Sequence, residues 1–327
     1  MKERSSRLRA AAAYAPLVIL TLVTAIGWGV YRLGGGFASI LGWLAVMQLV
    51  PLLALFVIGG TIVAAIVTRR KPLEPGARRR RRARRLATFA LGAFCLWPFA
   101  WSFNVLTLRF PYEVSDTRPA VTARLPTDAP MRVAWGGDRL EGNAHASTPD
   151  QRWAYDLLIE PALAGSTRLE DYGCFGVPVV APVSGVVRVA HDGEPDVPVT
   201  PGRHEPNYTV PLGNHVAIAV DGGGYLIVAH LKNGSVVARE GERVREGAPL
   251  GACGNSGNTT EPHVHIHAQR QDPRGRPLNF SEGLPLFLHR HDGEPMPRGG
   301  IEQVGDRQVA TGAVVRHIGD TQAPERP

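Results

Sequence analysis

Charge is missing from three long stretches of this 327-residue chain: residues 11–31, 37–67 and 86–106 hold no Asp, Glu, Lys or Arg. Ionisable groups inside a membrane span usually mark a transport or signalling path, so their absence argues against a charge-lined pathway and for an anchor, with a partner-binding role of the spans left open. Lysine is scarce as well. Lys232 is the only one after residue 71, in a Leu-Lys-Asn-Gly context, which excludes a lipoyl- or biotinyl-type module with its exposed lysine at a hairpin tip. Helical periodicity is the third absence. Beyond residue 110 no stretch keeps an apolar period over three turns, so a helical domain is excluded there.

What is present begins with the apolar stretches themselves. AAAYAPLVILTLVTAIGWGVY, FASILGWLAVMQLVPLLALFVIGGTIVAAIV and LATFALGAFCLWPFAWSFNVL are each about long enough for a ~30 Å hydrocarbon core, and three transmembrane α-helices are expected. The second is longer than needed, so tilt or a kink near Pro51 is expected. Trp97 and Trp101 suit an interface. The first is a poor cleavable signal, because a second span follows at once.

Basic residues flank these spans, in MKERSSRLR at the start and in TRRKPLEPGARRRRRARR at 68–85. By the positive-inside rule the N-terminus and this loop are cytoplasmic, and the third span leads out. Residues 1–106 carry 15 Lys/Arg and 2 Asp/Glu, a net of +13; the rest carry 21 and 27, a net of −6. The basic balance therefore belongs to topology and to contact with an anionic lipid bilayer. No nucleic-acid partner is expected.

Four segments follow: a membrane anchor over 1–110, a linker over 111–135, a folded domain over 136–285, and a partly disordered extension over 286–327 with room for one hairpin. The expected exported domain is all-β, an antiparallel sheet with hairpins. Short valine-rich runs such as GVVRVA, NHVAIAV, YLIVAHL and HVHIHAQ are separated by Gly and Pro. The long loop at 191–213 is a candidate groove wall. Of three cysteines, Cys95 lies in the third span, while Cys174 and Cys253 form a candidate disulfide in an oxidising compartment.

EPHVHIHAQ at 261–269 places His263, His265 and His267 on one face of a strand. Histidine is a metal ligand and a general base; the plain alternative is a solvated polar face. His230 closes YLIVAHL, and Asp156 sits in the apolar run QRWAYDLL, where a carboxylate needs a metal or an ion pair, for instance with Arg152. His267 is either a hydrogen-bond partner of a ligand or the next residue on the face. His215 reads as structural, and His191 and His204 as solvated loop residues.

AHLKNGSVVAREGERVREGAPLGACGNSGNTTEPHVHIH, with FGVPVVAPVSGVV upstream, resembles the M23 family of zinc metallopeptidases, the lysostaphin/LytM-type enzymes that cut peptidoglycan cross-links. The carrying residues are Ala229-His230-Leu231, Gly241, Val244, Gly247, Gly251, Gly254, Ser256, Gly257 and His263-Val264-His265. The resemblance spans roughly 140–270. It implies Zn2+ as cofactor, with Asp156 and His265 as ligands and His263 as a catalytic histidine. It also implies that His230 is a second catalytic histidine, orienting the water or stabilising the oxyanion. The family's first ligand would fall at Arg152; His145, in an Asn-x-His before Gln-Arg-x-Ala-x-Asp, is the expected substitute.

The implied function is that of a membrane-anchored zinc metalloendopeptidase in cell-wall remodelling. It would be multi-pass in the cytoplasmic membrane, with its catalytic domain periplasmic or extracellular and peptidoglycan peptide as substrate. The alternative, suggested by Arg152, is a non-catalytic domain of this type that activates a separate cell-wall hydrolase or a divisome-type partner.

Overall fold

Apolar runs without charge form helices at the start of the chain. In the computed structural model, which describes all residues but 1–12, 35, 69–73, 103–108, 111, 201–206, 208, 276, 278, 306 and 320–327, two units separate at Thr107 and Leu108. The basic N-terminus, the start of the arginine-rich loop, the side chain of Trp101, His204 with part of the 191–213 loop, and the chain end expected to be disordered lie outside the described residues.

In the first unit, α1 (Ala15–Leu33) and α2 (Gly36–Val67) are long and apolar enough to cross a membrane. Helix α2 widens into a π-type turn at Ala45–Leu49, just before Pro51. Proline lacks an N–H and its ring presses on the carbonyl four residues back, and the wider turn accommodates both. Leu33 and Phe56 are 87% and 78% exposed. Side chains of that size left outside a core suit contact with acyl chains rather than water.

The third expected span is not formed. Among the described residues only two helices qualify. The apolar stretch after Arg85 continues α3 (Pro75–Cys95), whose first half is the arginine run expected as a loop. Its apolar part, Leu86–Cys95, rises only ~15 Å, about half of a bilayer core. The chain then tightens into a turn, with Leu96 and Trp97 amides donating to the Ala93 and Phe94 carbonyls, before a short helix α4 (Pro98–Ser102). Pro98, without an N–H, cannot continue α3. Arginine is a good helix former, and on α3 Arg81 and Arg85 donate to the Thr68 carbonyl and hydroxyl and the Ala64 carbonyl at the end of α2.

The second unit is mostly antiparallel β. Its main sheet contains β1 (Met131–Trp135), β2 (Tyr155–Leu158), β3 (Gly185–His191), β4 (Asn214–Val220), β5 (Tyr225–Leu231), β6 (Arg243–Val244), β7 (Val264–Gln269) and β8 (Val314–Val315). The spatial order is β8-β1-β2-β7-β5-β4-β3-β6. Pro178–Val180 pairs with Pro249–Ala252, and Ile301–Val304 forms a hairpin with Arg307–Ala310. Val121–Ala123 pairs with Leu286–Leu288 in parallel. Strands thus form within both 111–135 and 286–327.

Strand alternation gives the sheet two different faces. Leu157, Val216, Ile218, Leu226, Val228, Val264 and Ile266 point to the main core and are fully buried. Each such side chain contributes about 1.5–3 kcal/mol. Cys174 and Cys253 are joined in that core, with Cα atoms 5.7 Å apart. Positions 156, 227, 229, 265 and 267 face the other way, and that face carries the histidines.

Candidate metal centre

The three histidines of the alternating motif share a face as expected, but the face is not solvated. His263, His265 and His267 are 7%, 3% and 1% exposed. Antiparallel register sets Asp156 of β2 directly opposite His265 of β7, and Ala229 of β5 opposite it on the other side. His265 Nδ1 lies 2.7 Å from Asp156 Oδ1.

His145 arrives by a different route. Asn143, fully buried, donates from Nδ2 to the carbonyls of Gly137 and Ala154, and its Oδ1 accepts from the backbone N–H of His145. This cap starts the 3-10 turn Ala144–Ser147 against the ends of β1 and β2, and His145 Nε2 comes to 2.9 Å from Asp156 Oδ2. His145, Asp156 and His265 each offer a ligand atom, all within 4.8 Å of one another. Two imidazoles and a carboxylate are a donor set that suits zinc with a position left open.

His230 reaches the site through backbone strain. Alternation along β5 sends Ala229, not His230, to this face. His230 adopts a left-handed φ of 62° where β4 and β5 lose register, conformations that side-chain-bearing residues rarely hold. Its ring then lies 4.7 Å from that of His263 and 5.7 Å from that of His265.

The Gly-x-Ser-Gly turn holds it there. Ser256 Oγ donates to the Leu231 carbonyl and accepts from the Asn214 N–H, while the Ser256 carbonyl accepts from His230 Nδ1 at 2.8 Å. Gly213 packs so closely that a Cβ would stand 2.3 Å from the Ser256 carbonyl oxygen.

His230 and His263 are oriented alike. His263 Nδ1 donates to the Glu261 carbonyl at 2.8 Å, and its Nε2 lies 3.6 Å from Asp156 Oδ1. With Nδ1 protonated in each ring, Nε2 of His230 and of His263 is an acceptor. Burial disfavours the charged form of His230, His265 and His267 and lowers the pKa of each. Neutral imidazole is the form that binds metal. Burial would also lower His263, but the Asp156 carboxylate outweighs it and the net shift is upward. Burial opposes ionisation of Asp156, yet His145 and His263 hold its carboxyl well below the usual range.

His145, Asp156, His230, His263 and His265 line a cleft of about 220 Å³ with Trp135, Gln151, Leu212 and Thr259. Thr259, not singled out in the sequence, places its hydroxyl 2.8 Å from the Glu261 carbonyl and 3.2 Å from His263 Nδ1. Its signal was its position four residues before His263.

Arg152 does not pair with Asp156. It is fully buried, donating to Asp138 Oδ1 at 2.6 Å and to the carbonyls of Asp138 and Phe110. Burial lowers it to about 10. His215 Nδ1 contacts the Gly213 carbonyl at 2.7 Å and lines a neighbouring cleft. His191 ends β3 rather than lying in a loop.

Residues 170–279 match the model of Peptidase family M23. That segment, about a third of the chain, includes His230, His263 and His265 and leaves His145 and Asp156 outside. No curated protein sequence matches. Among solved structures, a catalytic-domain variant of the prophage-encoded M23 protein EnpA from Enterococcus faecalis is 20% identical, covering 50% of this chain and 93% of its own, with a TM-score of 0.33. The catalytic domain of lysostaphin from Staphylococcus simulans is 17% identical, covering 46% and 84%, with a TM-score of 0.26. A zinc-containing peptidase from Vibrio cholerae is 20% identical over 50% of this chain, which spans only 41% of its length, with a TM-score of 0.27. Such low scores carry no argument about chemistry. Residues 170–279 thus match the M23 peptidase family, and the sheet that contains them carries a His-Asp-His cluster suited to a metal.

Proposed function

We propose that this protein is a membrane-anchored zinc metalloendopeptidase that hydrolyses amide bonds, with peptidoglycan cross-link peptides as its substrate class. The observation that carries the reading is the clustering of His145, Asp156 and His265 within 4.8 Å, beside two histidines whose Nε2 atoms are acceptors. Zinc held by that cluster would supply Lewis acidity and lower the pKa of water toward ~7.

The remaining chemistry belongs to the chain. His263 Nε2 takes the proton of the attacking water and returns it to the leaving amine, while the Glu261 carbonyl holds its tautomer. His230, neutral with its proton on Nδ1, accepts at Nε2 and so favours orienting the water over donating to an oxyanion. The buried cleft walls limit competing solvent. Peptidoglycan as substrate rests on the family match.

The disulfide supports an oxidising compartment for this domain, and α1 and α2 support attachment to the bilayer; two spans leave the domain on the side of the N-terminus, so export rests on the disulfide and reverses the orientation expected from the basic flanks. Protection of the domain from protease in right-side-out vesicles would place it inside and defeat the exported assignment.

The activator reading drew on Arg152. The cluster is complete without it, and Arg152 is engaged by Asp138, so catalysis is favoured. The test is zinc per chain and cleavage of cross-linked muropeptides by the purified full-length protein. About one zinc with cleavage is expected. A folded protein that stays empty when zinc is supplied, or takes zinc and cleaves nothing, defeats the reading.

A further inference from the structure

Alternate residues of β7 are joined in a line. His265 Nε2 lies 2.9 Å from His267 Nδ1, His267 Nε2 lies 3.3 Å from Gln269 Oε1, and Gln269 Nε2 donates to the Gln271 carbonyl at 2.8 Å. The far end dictates the direction. A carbonyl oxygen only accepts, so the Gln269 amide turns its NH2 to Gln271 and presents Oε1 to His267. Oε1 also only accepts, so His267 carries its proton on Nε2 and a lone pair on Nδ1. His265 must then donate from Nε2, which leaves a lone pair on Nδ1. All three side chains are at most 5% exposed, so water is not a ready substitute partner.

We propose that His267 and Gln269 are positioning residues: with the Gln271 carbonyl as terminus, they fix His265 in the tautomer whose Nδ1 faces Asp156 as a ligand. The proposal rests on the metal reading above. It also explains a contact that the chain alone leaves unbalanced. The Nδ1 lone pair and Asp156 Oδ1, two acceptors, stand 2.7 Å apart, and a cation between them is what makes that approach favourable. His145 Nε2 completes the set from the other carboxylate oxygen, at 2.9 Å.

The side chain at 267 is thus not an idle continuation of the motif. Partners that orient a metal-bound imidazole through its other nitrogen typically contribute 10–100-fold to metal affinity. His267 does this by accepting, which requires its own tautomer to be fixed, and Gln269 fixes it.

The test uses the full-length chain in detergent, with 15N-labelled histidine and zinc affinity from chelator competition. Long-range 1H–15N spectra are expected to show His267 protonated on Nε2, with and without zinc. His267→Leu is expected to weaken zinc binding about 10–100-fold. His267→Asn, whose Oδ1 takes the place of Nδ1, should stay within a few fold of the parent and guards against a folding defect in the leucine variant. His267 protonated on Nδ1 in either state, or His267→Leu binding zinc like the parent, overturns the relay. A parent chain that takes up no zinc overturns the metal reading instead, and the zinc-free spectrum still decides the relay.

Discussion

Asp156 and His265, 109 residues apart in the chain, are cross-strand neighbours on β2 and β7, and Asp156 Oδ1 lies 2.7 Å from His265 Nδ1. Opposite residues on an antiparallel pair have Cβ atoms about 5 Å apart on one face, so the sheet register itself builds this pair. His145 then closes on the second carboxylate oxygen. Asp156→Asn keeps the shape and removes the charge. Zinc affinity in chelator competition should fall by at least about 100-fold, more than an outer hydrogen-bond partner contributes; an unchanged affinity would remove Asp156 from the ligand set.

His263 separates catalysis from binding. Replacing it with alanine leaves the proposed ligands His145, Asp156 and His265 in place and removes the proposed proton acceptor. Cleavage of cross-linked peptide should drop by about 10²–10⁴, with zinc per chain unchanged. Full activity in His263→Ala would reassign the base.

Gly213 supports the site from below. It has a φ of 57°, and a Cβ there would meet Ser256, whose carbonyl orients His230. Gly213→Ala should cost at least about 2 kcal/mol in unfolding free energy and lower activity, because His230 loses its partner's position. Thermal unfolding and activity measured together test this. A variant as stable as the parent would show that the turn relaxes.

Cys174 and Cys253 close a loop with a sequence separation of 79. Chain entropy assigns such a bridge about 4.5 kcal/mol. Double replacement by alanine should lower the stability of this unit by that order in denaturant unfolding, whereas an unchanged midpoint would mean the reduced chain is equally constrained.

Asp150, which is outside the proposed ligand set but feels the charge of His145, gives a pH signature of its own. It is fully buried, accepts from the Asn279 N–H at Oδ2, and has no partner for Oδ1 among the described residues. Burial raises it to about 6. Its folded value lies above the unfolded value, so its contribution is complete below about pH 4 and is lost as pH rises through 6. At ~1.4 kcal/mol per unit this is roughly 3 kcal/mol. The difference in urea stability between the parent and Asp150→Asn should vary by that order between pH 4 and 7; a flat difference would mean Oδ1 is satisfied.

Part of this site was readable from local pattern. Alternation placed His263, His265 and His267 on one face because strand period is a property of the backbone. The Asn-x-His before Asp156 was likewise a local signal, and its physical content is the Asn143 cap that aims His145. The role of Arg152 was not readable, since its partners are Asp138 and the carbonyl of Phe110, 42 residues away.

The membrane part shows the reverse failure. A run of apolar residues at 86–106 satisfies a length criterion, but a span needs one continuous helix, and Pro98 limits the apolar part of α3 to ten residues. The arginine run, read as a loop from its charge, is helical because charge alone does not oppose a helix.

By itself the sequence determined what local covalent geometry controls: the strand period, the turns at Gly-x-Ser-Gly, the charge-free helices and the cysteine pair available for bridging. Tertiary structure alone decided which strands became neighbours, and therefore that Asp156 faces His265, that the left-handed backbone at His230 turns its ring into the cleft, and that the Gln271 carbonyl orders the line back to His265. Those outcomes depend on register and on contacts between distant segments, which no local window of residues contains.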